Sequence, residues 1–231
     1  MDYDLSDLNP VLGNQSGEFI RAYHFIPASY GLDDLRNRRL KIARLDDLND
    51  PFDLWAIAQP DRVLRHALRT TKVEMARRFG MLCFSLSWQN PLLWSHYAER
   101  HRGLAVGFDI NSSNIKNVRY VSERPTIGSV VDVSTVHDLL YTKYIDWSYE
   151  QEMRVFTSLD DAEPNSGLFF ANFGVQCVLR EVIVGALCEV SAGELRSILG
   201  QDDEGVTLTE ARLAFNSFKI TRDMRGFEAE P

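Results

Sequence analysis

Three short apolar runs constrain what this chain can fold into: GMLCFSLS at 80–87, LAVGFDI at 104–110 and VLREVIVGAL at 178–187. None approaches the length of a membrane-spanning helix. Each reads as a strand, and the first, flanked by Gly and polar residues, as a buried one. EFIRAYHFI at 18–26, rich in β-branched and aromatic residues, is a further strand. Strand patterns are also expected over 116–121 and 152–158, with strand-like pieces running to about residue 221.

Helical spacing fills the gaps. Residues 61–79 show an apolar face of Val63, Leu64, Ala67, Leu68 and Val73. In NPLLWSHYAERH, Asn90 stands at an N-cap and Pro91 at the first helical position, and Gly103 marks the expected end. Residues 130–147 read as helical, and a further helix runs from Ser191 to Leu199. The helices do not alternate strictly with the strands, which gives an α+β fold with a mixed, mainly antiparallel sheet and flanking helices. No repeat, low-complexity tract or Gly/Ser linker divides the chain. The expected organisation is a flexible lead-in at 1–17, a single domain at 18–222 and a frayed tail at 223–231.

Charge and cysteine usage narrow the function classes. A net charge of −8 and a pI of about 5.2 leave no broad basic field for non-specific nucleic-acid binding, although a local basic cleft stays open. Three cysteines, Cys83, Cys177 and Cys188, sit in apolar surroundings without CxxC spacing. That pattern reads as free buried thiols in a reducing compartment. The acidic N-terminus lacks the features of a signal peptide, so a cytoplasmic protein without membrane partners is expected.

The candidate site residues lie in four places. In the first strand, alternation puts Tyr23 and Phe25 on one face and His24 on the other. A lone strand histidine is more often a hydrogen-bonded structural residue than a catalyst. LNDPFD places Asn49, Asp50 and Asp53 in a turn, either a plain Asx turn or a polar rim beside a pocket. Its spacing does not suit a calcium loop. On the helix of WSHYAERH, Trp94, Tyr97 and His101 fall on neighbouring turns and His96 lies beside Arg100. Five residues separate His96 from His101, which argues against a zinc pair, and no metal site is expected.

The fourth place is IDWSYEQEMRVF at 145–156. If 149–156 is a strand, Glu150, Glu152 and Arg154 share one face. The two carboxylates then repel, raising one pKa, and Arg154 can offset this by bidentate pairing with Glu152. Such a triad suits general acid/base or cation-stabilising work. A salt-bridged strand face open to water explains it equally simply. No P-loop, GxGxxG or GxSxG pattern occurs.

Taken in order, LNDPFD, MLCFSLS, LLWSHYAERHRGLAVGFD, LYTKYIDWSYEQEMRVF and LREVIVGAL resemble the bacterial domain of unknown function 2971 family over about residues 20–190. One departure is His24, where members often carry a lysine between two aromatics. More weakly, the order of aromatic–histidine strand, tyrosine block and late glutamate is similar to ADP-ribosyltransferase-like proteins. That resemblance implies an NAD-consuming enzyme, in the setting of a bacterial toxin or phage-defence effector. His24 would hold the ribose, Tyr97 or Trp94 would stack on the nicotinamide, and Tyr23 would be a further cofactor-binding residue. Glu152 would be the catalytic carboxylate and Glu150 its acceptor-side companion. Arg154 would contact a phosphate or hold Glu152, Ser85 would add a hydroxyl, and Asn49, Asp50 and His96 would line the rim. The partner it implies is a nucleotide substrate with a protein or nucleic-acid acceptor. A non-catalytic ligand- or protein-binding module is the main alternative. A metal-dependent nuclease or hydrolase using Asp50, Asp53 and the glutamates is the other.

Overall fold

A computed structural model describes residues 18–53, 58, 61–126, 138–200 and 205–226. The lead-in at 1–17, the 130–137 part of one expected helix and the end of the tail lie outside the described residues. In chain order the elements are β1 (Phe19–Ile26), α1 (Ala28–Asn37), β2 (Arg39–Lys41), β3 (Ala43–Arg44), α2 (Arg62–Arg78), β4 (Phe79–Ser85) and α3 (Pro91–Tyr97). There follow β5 (Leu104–Asn111), β6 (Lys116–Asn117), β7 (Arg119–Val121), β8 (Thr142–Tyr144), a 3-10 turn (Ile145–Glu150) and β9 (Glu152–Ser158). The chain ends with β10 (Phe170–Asn172), β11 (Cys177–Val184), α4 (Ala192–Leu199), β12 (Thr207–Leu213) and β13 (Ile220–Arg222). The protein is α+β, with mainly antiparallel pairing and flanking helices.

Backbone contacts divide the chain into two compact units. One comprises Lys41–Cys83 and Ser113–Ala171. The other comprises Phe84–Ser112 with the described parts of Gln15–Leu40 and Asn172–Pro231. No linker separates them in sequence, because each is assembled from several segments.

In the first unit β3 pairs antiparallel with β4, and β6 with β9. The expected strand at 116–121 breaks at Val118, whose N–H donates to Glu152 O at 2.9 Å. Before the break the chain pairs with β9; after it, β7 runs parallel to β8, with Arg119 opposite Thr142. That pairing also overrides the helix expected at 142–147, since Thr142–Tyr144 is a strand and only a 3-10 turn follows. The core gathers Leu45, Met75, Ala76, Phe79, Met81, Leu140 and Phe156. Helix α2 spans the expected residues and is capped by Asp61, which accepts from Leu64 N–H at 2.8 Å. Its buried stripe is Leu68, Met75 and Ala76, spaced i, i+7, i+8; Val63 and Val73, expected inside, are 79% and 51% exposed.

In the second unit the strand order is β13-β12-β11-β5-β1, and Ser85 at the end of β4 pairs with Tyr23. Apart from the parallel β11–β12 pair, neighbours are antiparallel. One face carries Tyr23, Phe25, Ala105, Ile183, Ala211 and Ile220, packed against Trp94 and Ala98 of the α3 region. Gly31 of α1 comes so close to Ile26 and Leu104 that a Cβ would lie 2.9 Å from each. Ile26 and Leu104 are register partners, an even number of residues from His24 and Val106, so α1 covers the opposite face.

Helix α3 starts as expected, with Asn90 Oδ1 accepting from Leu92 N–H at 3.0 Å. It ends at Tyr97, six residues before Gly103. Glu99, Arg100 and His101 then adopt left-handed φ of 49°, 56° and 69°. Three such residues in a row, none of them glycine, leave no compositional signal of a helix end.

Candidate functional site

The most concentrated chemistry lies in the first unit. The turn at LNDPF is an Asx turn: Asp50 Oδ1 accepts from Phe52 N–H at 2.8 Å. That turn delivers Asp53 to the core. From β9, Arg154 meets it in a two-pronged pair, Nη1 to Oδ1 at 2.9 Å and Nη2 to Oδ2 at 2.7 Å. The same guanidinium grips Glu152, Nε to Oε1 at 2.8 Å and Nη2 to Oε2 at 3.1 Å, and gives its remaining N–H to Leu140 O at 2.7 Å. All five donors of a guanidinium are thereby used, and the side chain is 0% exposed. Glu152 in turn receives Lys143 Nζ at 3.1 Å, and Lys143 reaches Glu150 at 2.5 Å. Asp53, Arg154, Glu152, Lys143 and Glu150 thus form a buried ladder of alternating charge. Trp147 lies under the Lys143 ammonium at 4.8 Å.

Local backbone makes this possible. Glu150 closes the 3-10 turn and β9 begins at Glu152. Gln151 between them takes a left-handed φ of 46°. The two glutamates therefore do not share a strand face, contrary to the alternation pattern. Both reach Lys143 Nζ, one from the end of the turn and the other from the start of the strand. Tyr120 Oη accepts from the Glu152 backbone N–H at 2.8 Å.

The electrostatics follow from the order of charges. Burial alone would raise the Glu152 carboxyl, but Arg154, and then Lys143, overcome it and hold the pKa down at about 2. The raised glutamate expected from two close carboxylates does not arise at Glu152, because a cation stands between it and Glu150. Burial works against Arg154 and Lys143 too, but the carboxylates beside each raise both pKa values. Burial, helped by the Glu152 charge, pushes the Cys83 thiol up. Three carboxylates thus meet two cations along the ladder, and at its far end Lys72 Nζ lies 3.2 Å from the Asp53 backbone O.

The other sequence candidates belong to the second unit, apart from Asn49, which is exposed beside the Asx turn. Trp94 is fully buried, donates Nε1–H to Trp88 O at 2.6 Å and meets Phe25 edge-on at 5.3 Å. It is a core residue with no face left for a ligand, which corrects the stacking role the resemblance implies. His24 pairs in register with Val106 and meets Phe84 edge-on at 5.8 Å, on the face away from Tyr23, Ser85 and Trp94. His24 and Trp94 therefore cannot hold one ligand between them on this sheet. Ser85 Oγ donates to Ser87 O at 3.0 Å and shapes the turn after β4. Tyr97 is part-buried with the exposed His96 edge-on at 6.0 Å. His101, expected one helical turn from Tyr97, instead folds back, Nε2 lying 3.2 Å from Ser95 Oγ.

The sequence reading did not single out Lys143, and it gave Asp53 a place at a polar rim or in a metal-dependent hydrolase, not as the partner of Arg154. Asp53 lies 101 residues from Arg154, and no local pattern joins them. Lys143 stands inside the quoted LYTKYIDW block, and a lysine near a pair of glutamates was the available signal. A second polar group went unseen: Glu181 Oε1, buried on β11, accepts from Thr209 Oγ1 at 2.8 Å and Arg222 Nη2 at 3.1 Å. Among the described residues no three His, Cys, Asp or Glu side chains are arranged to hold a metal ion. Lys143 and Arg154 occupy the gaps between the ladder's carboxylates.

Comparisons with protein-family models, curated proteins and solved structures give no match for this chain. The family resemblance rests on the quoted motifs alone.

Proposed function

We propose that this chain is an ADP-ribosyltransferase-like enzyme that cleaves the nicotinamide N-glycosidic bond of NAD and passes the ADP-ribosyl group to a protein or nucleic-acid acceptor, in the setting of a bacterial toxin or defence effector. The observation that carries the proposal is the buried Glu150–Lys143–Glu152–Arg154–Asp53 ladder. It falls at the glutamate block where the order of motifs puts the catalytic acid. Breaking the glycosidic bond builds positive charge on the ribose. A fixed carboxylate in a low-dielectric setting stabilises that charge without reorganising. The ladder supplies carboxylates in fixed positions, with Glu152 held ionised by Arg154 and Lys143. Glu152 is its centre and Glu150 its terminal carboxylate, suited to the acceptor side. Arg154 and Asp53 act as positioning residues.

A second reading has its own support. Glu152 is only 5% exposed and both its oxygens are taken by cations. That suits a structural ladder inside a non-catalytic binding module. The test is nicotinamide release from labelled NAD, with transfer to cell-extract protein and nucleic acid followed in parallel. E152Q and E150Q are expected to lower release about a hundredfold or more, with the circular-dichroism spectrum kept. Absence of release by the wild type, or release untouched by both variants, overturns the enzymatic reading. Calorimetric NAD binding without turnover establishes the second.

A further inference from the structure

The β12–β13 hairpin of the second unit ends in a four-residue loop, Phe215-Asn216-Ser217-Phe218, closed by Ala214 N–H donating to Lys219 O at 3.0 Å. Phe215 is 90% exposed and Phe218 is 99% exposed. Two aromatic rings this bare on one loop call for a partner, because a folding chain gains nothing by leaving them in water. Beneath the loop, a concave space of about 500 Å³ is lined by Pro91, Leu213 and the loop itself. One ring has a cation on its face, and the other has an exposed lysine next to it in sequence. Arg212 lays its guanidinium over Phe215 at 4.5 Å, and Lys219 follows Phe218 directly.

Planar apolar faces flanked by positive charge complement a ligand that is itself planar, apolar on its faces and negatively charged along its length. We infer that this loop binds single-stranded nucleic acid, Phe215 and Phe218 each stacking a base while Arg212 and Lys219 meet the neighbouring phosphates. Duplex is not expected to bind, because its bases are already stacked and the chain's net charge of −8 repels a dense phosphate array. Asn216 and Ser217 between the rings offer hydrogen bonds without fixing a sequence. The site stands apart from the proposed catalytic reading, since binding here requires no turnover of NAD.

The test is fluorescence anisotropy of the full chain with short oligothymidylate and oligouridylate at low salt, beside a duplex of equal length. Binding of the single strands alone is expected. F215A and F218A should each weaken it about tenfold or more, in keeping with the usual worth of a base–aromatic stack. The F218A thermal midpoint should stay at the wild-type value, because that ring is almost wholly exposed, and F215A should lose no more than its exposed contact with Arg212. The salt dependence should be shallow, with a slope of log K against log salt near about −1.4 for two phosphates on a single strand, and R212A/K219A should flatten it. No oligonucleotide binding, binding indifferent to both phenylalanines, or equal binding to duplex overturns the inference. So does loss of membrane binding or of self-association in F215A/F218A, read by sedimentation with anionic vesicles and by light scattering, without loss of strand binding.

Discussion

Arg154 is the residue on which the first unit turns. A guanidinium with five satisfied donors between two carboxylates is stable only while all its partners remain. Removing one partner of a buried pair strands the other charge in a low dielectric, at a cost of about 3–5 kcal/mol. D53A is therefore expected to lower the unfolding free energy by about that amount in urea titration, and a change under about 1 kcal/mol would mean the pair is not closed in solution. Glu152 sets the acid response. Its folded pKa of about 2 lies below the ordinary 4.5, so the stability it contributes is present above pH 4.5. That stability is lost as the pH falls from 4.5 towards about 2. Urea midpoints across this window should fall steeply for the wild type. E152Q, with no charge to lose, should show a flatter curve from a lower plateau. At this scale the sequence showed Glu150, Glu152, Arg154 and the bidentate grip, because all lie within five residues. Lys143 stayed hidden, and Asp53 was not joined to Arg154, because tertiary folding, not local spacing, brings these groups together.

At the scale of elements, helix starts were legible, as were the ends of α2 and α4, but the end of α3 was not. Asn90-Pro91, Asp61 and Ser191 announce helices because capping chemistry resides in the side chain. Ser191 accepts from Glu194 N–H at 3.1 Å, so S191A should cost about 1 kcal/mol, measured as a shift in the denaturation midpoint. The end of α3 is written in backbone angles instead. Arg100 is exposed at φ 56°, where a glycine would relieve the left-handed penalty while adding freedom to the unfolded chain. R100G should gain about 0.5–1 kcal/mol of stability on balance. G103A should do the reverse, because a Cβ there would lie 2.3 Å from Ile26 O, a backbone atom with no room to move. A destabilised R100G would show that its side chain, not its φ, matters to the turn. The face of α2 was misread for a related reason. Val63 and Val73 fit a helical stripe as well as Leu68, Met75 and Ala76 do, and only the tertiary neighbours, Leu45, Met81, Leu140 and Phe156 among them, decide which stripe is covered.

Across the whole molecule the two units are held by different means. The second rests on apolar packing around Trp94, Ile183 and Ile220. The first combines an apolar core with the charged ladder. The strand runs made the α+β class readable, whereas the division into units was not, because each unit is drawn from segments that alternate along the chain. The cysteines link both units to one measurement. All three, each among the described residues, lie outside any disulfide, and none is fully exposed. Their thiols nevertheless resist ionisation. Burial, with the nearby Glu152 charge, raises Cys83; burial raises Cys177 to about 12; and burial also lifts Cys188. Since the thiolate is the nucleophile, exposure alone does not make these residues reactive. At pH 8 an aromatic disulfide reagent should therefore consume the three thiols far more slowly in the folded chain than in denaturant, where all three react at once without prior reduction. Fewer than three in denaturant would reveal a disulfide. In E152Q, where one source of upward pressure on Cys83 is gone, a single thiol should react faster while the other two keep the wild-type rate. Acceleration of all three would instead mean that the substitution has loosened the fold as a whole.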